Sequence, residues 1–235
     1  MSSTWRRYNE GMSEAFFKAI RAGTREEVER MLLKDGSLIH AKNRGLSPVL
    51  VAAYCLEAQL AELLADKTVA LNIFEAAATG RTTHLIRLLA RNPELVNSIA
   101  DDGFQPLGLA CFFGHADAAE YLVKAGAQVN ITSNNELMVT PLQSAVAGRH
   151  LPIVKMLLKS GAQPNVRERS GFTPLHTAAQ NGDVEAIQAL ILHGADLHTK
   201  ANNGKLPVDL AEEKGQTRAV EILKREITKR FRVSL

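Results

Sequence analysis

Cysteine is scarce in this 235-residue chain, with Cys55 and Cys111 its only two. Two thiols make no disulfide framework, so the sequence fits a reducing compartment and reads as cytoplasmic. Long apolar runs are missing as well. The longest, Val49 to Leu56, is far short of the about 20 residues that span a bilayer, and no membrane segment is expected. Arg6 and Arg7 near the amino terminus are not followed by an uncharged apolar stretch with a small-residue cleavage site, so no secretory signal is expected either.

A strong excess of one charge is also absent. The formal net charge is +3 and the pI is near 8.9, well below the concentrated basic footprint of a nucleic-acid-binding domain. The common catalytic signatures do not occur: there is no phosphate-binding Gly-x-x-x-x-Gly-Lys-Ser/Thr, no Gly-x-Gly-x-x-Gly after a strand, no His-Glu-x-x-His and no Cys-x-x-Cys. His193 and His198 lie close in sequence, but Gly194 breaks the helix between them and no cysteine is near, which argues against a metal site. Asp101 and Asp102 form a carboxylate pair that would do acid–base work only in a desolvated cleft. Asn130-Ile131-Thr132 has the form of a glycosylation acceptor but reads as a turn asparagine. No enzymatic activity, cofactor or metal is expected.

What the chain does have is repetition. Residues 171 to 197 combine Thr173 at a helix N-cap, Pro174 at the first helical position and Gly182 at the left-handed C-cap. Asp183 then caps a second helix whose Ile187, Leu190 and Ile191 give an i, i+3, i+4 apolar stripe. Such a pair exposes too much apolar surface to stand alone. Copies aligned on Ala178 place Ala19, Ala52, Ala76, Ala110, Ala145 and Ala211 in register at intervals of 33, 24, 34, 35, 33 and 33 residues along the chain. A small residue is needed there for first helices to pack closely. The preceding proline recurs at Pro48, Pro106, Pro141 and Pro207, and the following glycine at Gly23, Gly80, Gly114 and Gly215.

This pattern, with Thr173-Pro174-Leu175-His176 and the recurring Gly-Ala after second helices, resembles the ankyrin repeat over roughly residues 12 to 225, most closely in the bacterial proteins of that kind. The resemblance implies an all-α solenoid: about seven helix-turn-helix units with hairpin fingers. The expected organisation is a polar lead at 1–11, in which Trp5 and Tyr8 either fold back or are loose, then a single domain at 12–235. Its repeats would run 12–42, 43–71, 72–100, 101–133, 134–168, 169–201 and 202–235. The 24-residue interval lacks the length of a finger, so one finger is expected to be missing between the second and third repeats. The fifth is expected to be long at Asn134 to Val139. Arg21, Arg25, Glu26, Glu29 and Arg30 would form a polar amino-terminal cap, and the helix from Thr217, with Glu221 and Arg225 at i, i+4, a solvated closing cap. His176 is implied to hydrogen-bond the neighbouring loop, and Asp101 and Asp102 to lie in solvent at a finger.

The resemblance also implies that a partner protein binds at the residues just before the Thr-Pro step and just after the Ala-Ala pair. These are Leu46, Tyr54 and Cys55 in the second repeat, Ala78 and Thr79 in the third, and Phe104, Phe112 and Phe113 in the fourth. The fifth supplies Leu137, Met138, Val139, Ala147 and Gly148, the sixth Phe172, Gln180 and Asn181, and the seventh Lys205, Glu213 and Lys214. Four of the eight phenylalanines fall at these few positions, as at the centre of a protein interface. The opposing possibility is that the rings pack between fingers. The expected function is a non-enzymatic, monomeric protein-interaction scaffold. The alternatives are binding of nucleic acid or an anionic surface through the basic tail from Lys224 to Arg232, and an unrecognised enzyme.

Overall fold

The computed structural model describes the backbone of residues 3–233 and the side chains of residues 11–229. Trp5 and Tyr8, and Arg230, Phe231 and Arg232 of the basic tail, lie outside the residues whose side chains are described. Helices come in pairs: α1 (Ser3–Arg21) with α2 (Arg25–Lys34), α3 (Pro48–Tyr54) with α4 (Ala58–Lys67), and α5 (Ile73–Ala78) with α6 (Thr82–Arg91). The series continues with α7 (Pro106–Phe113) and α8 (Ala116–Lys124), α9 (Pro141–Ala147) and α10 (Leu151–Lys159), α11 (Pro174–Asn181) and α12 (Val184–Leu192), and α13 (Pro207–Glu213) and α14 (Thr217–Val233). The described residues contain no β-strand, only an isolated bridge between Asn43 and Leu46 in the first finger. The fold is an α solenoid.

The first helices from α3 onward are short because both ends are fixed by sequence. Proline opens α3, α7, α9, α11 and α13, where its missing N–H is no loss. Gly182 closes α11 at φ 69°, a left-handed conformation that costs an L-residue about 1 kcal/mol or more. Along the stack, Ala52, Ala76, Ala110, Ala145, Ala178 and Ala211 are all completely buried and Ala19 nearly so. A larger side chain there would push neighbouring first helices apart. Second helices contribute the bulk: Leu64, Leu85, Leu122, Leu157 and Leu190 are fully buried, each stabilising the stack by about 2 kcal/mol.

Helix α1 departs from the expected polar lead, since it already runs from Ser3 and is 19 residues long. No proline interrupts that stretch, and the single glycine, Gly11, stands in open space; one such glycine costs about 1 kcal/mol and does not break a helix. Arg225 also differs from expectation. It turns to Glu226 at 3.3 Å, which Lys229 shares at 2.9 Å, because Glu226 lies within reach of both cations.

Between α4 and α5 the chain takes only residues 68–72 and makes no finger, as the short interval predicts. Asn72 Oδ1 accepts from the backbone N–H groups of Phe74 and Glu75, and the buried Glu75 carboxylate accepts from Asn72 N–H at 2.8 Å. That reciprocal cap starts α5 without a proline. Elsewhere successive fingers join through their backbones: Asn134 N–H donates to Gly103 O at 2.8 Å, Arg169 N–H to Leu137 O at 3.2 Å and Asn202 N–H to Ser170 O at 3.0 Å. On the opposite edge the turn asparagines form a ladder. Asn130 donates to Gly161 O and accepts from Gln163 N–H, as Asn97 and Asn165 do one repeat before and after. Asn130 is therefore a structural turn residue.

Candidate functional site

The residues expected to meet a partner make several distinct sets of contacts. Four of them converge. Tyr54 at the end of α3 lies with its ring 6.4 Å from Phe104 and 5.5 Å from Phe113, and Phe113 meets Phe112 edge-on at 5.1 Å. These rings come from the second and fourth repeats, so they meet across the place where the third repeat has no finger. The Tyr54 hydroxyl donates to Asp102 Oδ2 at 2.7 Å. Burial first, and then that hydrogen bond, holds the phenol protonated far above its usual range. The finger before α3 reaches over as well: a methyl group on Gly45 would lie 2.9 Å from Asp101 Cβ.

Asp102 is thereby corrected from a solvated turn carboxylate to a half-buried acceptor. Its other oxygen takes the Phe104 N–H at 3.1 Å. Nothing local in the sequence marks this role, because the partner is 48 residues away.

Of the other expected residues, Ala78, Thr79, Ala147 and Gly148 line a cavity together with Phe112 and Phe113, and several make separate contacts. Phe172 stacks on His176, ring centres 5.4 Å apart and planes 17° from parallel. Leu137 and Met138 stand out on the long fifth finger, about half exposed, Met138 at φ 55°, while Val139 N–H donates to Ser133 Oγ. Leu46 is half-buried against the core. Asn181 is tied down: its side chain donates to Val146 O, and its carbonyl accepts from Arg149 at 2.8 Å. Gln180 is half-buried beside it. His176 is fully buried, its Nδ1 accepting from Thr173 N–H and its Nε2 donating to Lys205 O at 3.2 Å. It holds the neighbouring finger, as expected.

Beside the aromatic cluster lies a cavity of about 420 Å³, lined by Ala53, Leu56 and Glu62 of the second repeat, Ala78 and Thr79 of the third, Phe112, Phe113 and His115 of the fourth, and Ala147 and His150 of the fifth. Leu56 was not among the expected residues. It occupies the register position that carries glycine in five repeats, and it keeps that left-handed conformation, φ 61°, while its side chain is 77% exposed. Four positions after Ala52 the sequence reads Leu rather than Gly, and that departure was the available signal. Arg149 makes the same substitution at φ 60°, but its guanidinium serves Asn181. Leu56 keeps most of its side chain in solvent, so burial offsets little of the strain of about 1 kcal/mol.

His193 donates from Nδ1 to Ala189 O, and among the described residues no three His, Cys, Asp or Glu side chains are grouped to hold a metal. No helix among them is long and apolar enough to cross a membrane.

With the fold and this face in place, comparison with known proteins gives the class. The family described as Ankyrin repeats (3 copies) matches over residues 73–168 and again over 142–231, more than half of the chain, and the chain belongs to that family. Similar proteins include a putative ankyrin repeat protein of Rickettsia felis, 36% identical over 89 residues, which are 38% of either chain. Palmitoyltransferase AKR1 of Kluyveromyces lactis is 41% identical over 63 residues, 27% of this chain and 8% of that protein. The human ankyrin repeat and KH domain-containing protein 1 is 39% identical over 67 residues, 28% of this chain and 2% of that protein. The matches thus span well under half the length of these relatives. Repeats of this family generally mediate protein–protein interaction and are generally non-enzymatic.

Proposed function

We propose that the chain is a non-enzymatic scaffold that docks a partner protein on the face built by its fingers and first helices, with the cavity between Leu56 and Phe112 at the centre. The observation that carries this reading is Leu56: a large apolar side chain, mostly exposed, held in a backbone conformation that favours glycine, at the lip of a mainly apolar cavity. Stability alone would replace it. Exposed apolar surface beside a pocket is what a binding site requires. The aromatic cluster has two roles in this reading. Tyr54, Phe104 and Phe113 bridge the missing finger, and Phe112 presents a ring to the cavity. Leu137 and Met138 on the projecting finger extend the contact surface.

Binding of an anionic surface or nucleic acid through α14 finds less support, because Lys224 pairs with Glu212 and both Arg225 and Lys229 pair with Glu226. The test is Phe112→Asp, which leaves the Tyr54–Phe113 contact in place. Partners captured from a native lysate by the parent chain should be lost to the variant, while its melting temperature falls only by the small amount that loss of the Phe112–Phe113 edge contact brings. Equal capture by both would end the reading.

A further inference from the structure

The cavity beside Phe112 is apolar in its walls, but its polar groups are of one kind. Thr79 donates its hydroxyl hydrogen to Glu75 O at 2.7 Å. His115 Nε2 lies 2.9 Å from Ala78 O, and His150 Nε2 lies 2.9 Å from Phe112 O. A carbonyl only accepts, so the Nε2–H of each ring is committed to it. Every side-chain donor around the cavity is therefore spent inside the protein. His115 Nδ1 and His150 Nδ1 face Gly80 and Gly114, so what remains is the Glu62 carboxylate, which is exposed, acts on His115 only through space and has no ion pair among the described residues. The nearby cation, Arg81, pairs with Asp66 at 2.7 Å and donates to the Glu62 backbone carbonyl at 3.4 Å, not to the Glu62 carboxylate.

We propose that this cavity receives a lysine or arginine side chain of the partner. The proposal rests on the groove reading above and names the chemistry of the occupant. The alkyl stem would lie along Ala53, Leu56, Ala78 and Ala147, as long cationic side chains cover apolar surface. The charged head would meet Glu62 and the face of the Phe112 ring, combining a charge-assisted hydrogen bond with a cation–π contact. An aliphatic anchor would leave the Glu62 carboxylate facing an apolar group, and an acidic anchor would be repelled by it. The volume, about 420 Å³, is within the range of small-molecule sites, roughly 300–1,000 Å³, and admits the side chain with some of its flanking backbone.

The experiment uses the full chain and a set of blocked pentapeptides, acetyl-Gly-Ala-X-Ala-Gly-amide, with X as lysine, arginine, leucine, phenylalanine or glutamate. Each is titrated to millimolar concentration while the amide signals of Ala78, Phe112 and Ala147 are followed by NMR. The lysine and arginine peptides should shift these signals with at least about tenfold lower Kd than the leucine peptide, a difference of about 1.4 kcal/mol. Glu62→Gln, an exposed substitution checked for fold by its amide spectrum, should remove that preference. Leucine or phenylalanine peptides binding the same amides as tightly as lysine would overturn the cationic assignment and leave the groove reading standing. Cationic peptides bound equally well by Glu62→Gln would overturn the assignment too. If no peptide shifts these amides, the cavity is not a docking site and both readings fall.

Discussion

The two ends of the solenoid hold their fingers together by different means. From the fourth repeat onward each finger is tied to the next by a backbone hydrogen bond, such as Asn134 N–H to Gly103 O at 2.8 Å. Between the second and fourth repeats there is no intervening finger, and side chains close the gap: Tyr54 reaches Asp102, its ring rests near Phe104 and Phe113, and Gly45 sits against Asp101. Backbone coupling engages no particular side chain, although it needs the room that Gly103 leaves for Asn134. Side-chain coupling depends on a few large rings, which explains why aromatics gather there in a chain otherwise poor in them. It also explains why the open cavity lies at the junction, where no finger covers the first helices.

The backbone tie is broken most directly at Gly103. A Cβ there would lie 2.3 Å from Asn134 O, and the residue sits at φ 85°, so Gly103→Ala combines overlap with a fixed carbonyl and left-handed strain. A loss of about 3 kcal/mol is expected, read as a lowered urea midpoint. Gly126 and Gly194 have comparable φ but open space around them, and their alanine variants should lose only about 1 kcal/mol. Equal losses at the three glycines would show that contact between fingers contributes nothing.

The side-chain tie is tested at Tyr54. Tyr54→Ala removes a half-buried ring and leaves Asp102 without its donor, for an expected loss of about 2 kcal/mol. Tyr54→Phe keeps the ring and loses only the hydrogen bond, about 1 kcal/mol. Hydrogen exchange should quicken in α1 to α4 more than in α9 to α14 in the alanine variant, since repeats couple through their neighbours. Uniform quickening would refute a junction local to the missing finger.

These features differ in how far the sequence reveals them. The alanine register, the prolines, the turn asparagines and the missing finger follow from local preferences repeated at fixed spacing, so a single chain suffices to read them. The Tyr54–Asp102 bond does not, because it depends on which side chains fill a gap that the repeat pattern only outlines. Asp102 looks like any finger carboxylate until the deletion two helices earlier is given its geometry. Phe172 shows the same limit: repeat position puts it on the same face as Phe104, and the structure adds that its ring stacks on His176. Leu56 was legible as a departure from glycine, yet its exposure beside the cavity was not.

Leu56 separates binding from stability at the junction. Leu56→Gly relieves a left-handed leucine whose side chain is 77% exposed, so the protein should gain up to about 1 kcal/mol, partly offset by the greater freedom of glycine in the unfolded chain. Partner capture should fall. A variant that is both less stable and fully competent would remove Leu56 from the site.

The smallest effect at neutral pH concerns how fingers are held in the regular half, at His176. Its Nδ1 accepts from Thr173 N–H at 3.1 Å and its Nε2 donates to Lys205 O, an arrangement that needs the neutral ring. Burial, outweighing the favourable bond to Lys205 O, pulls its pKa below the ordinary 6.5. The unfolded chain therefore takes up this proton first, so the contribution is complete above pH about 6.5 and is lost as pH falls below it toward the folded value. Gln143 fills the same position one repeat earlier without a titrating group: its Oε1 accepts from Thr140 N–H at 2.8 Å and its Nε2 donates to Phe172 O at 3.1 Å. His176→Gln should thus change stability by less than about 1 kcal/mol at pH 7.5 while flattening the fall in melting temperature between pH 6.5 and 5. His115, also lowered mainly by burial, remains in the variant and keeps part of that slope. Identical slopes in parent and variant would mean that His176 already accepts a proton in the fold, and that the finger is held by something other than its neutral ring.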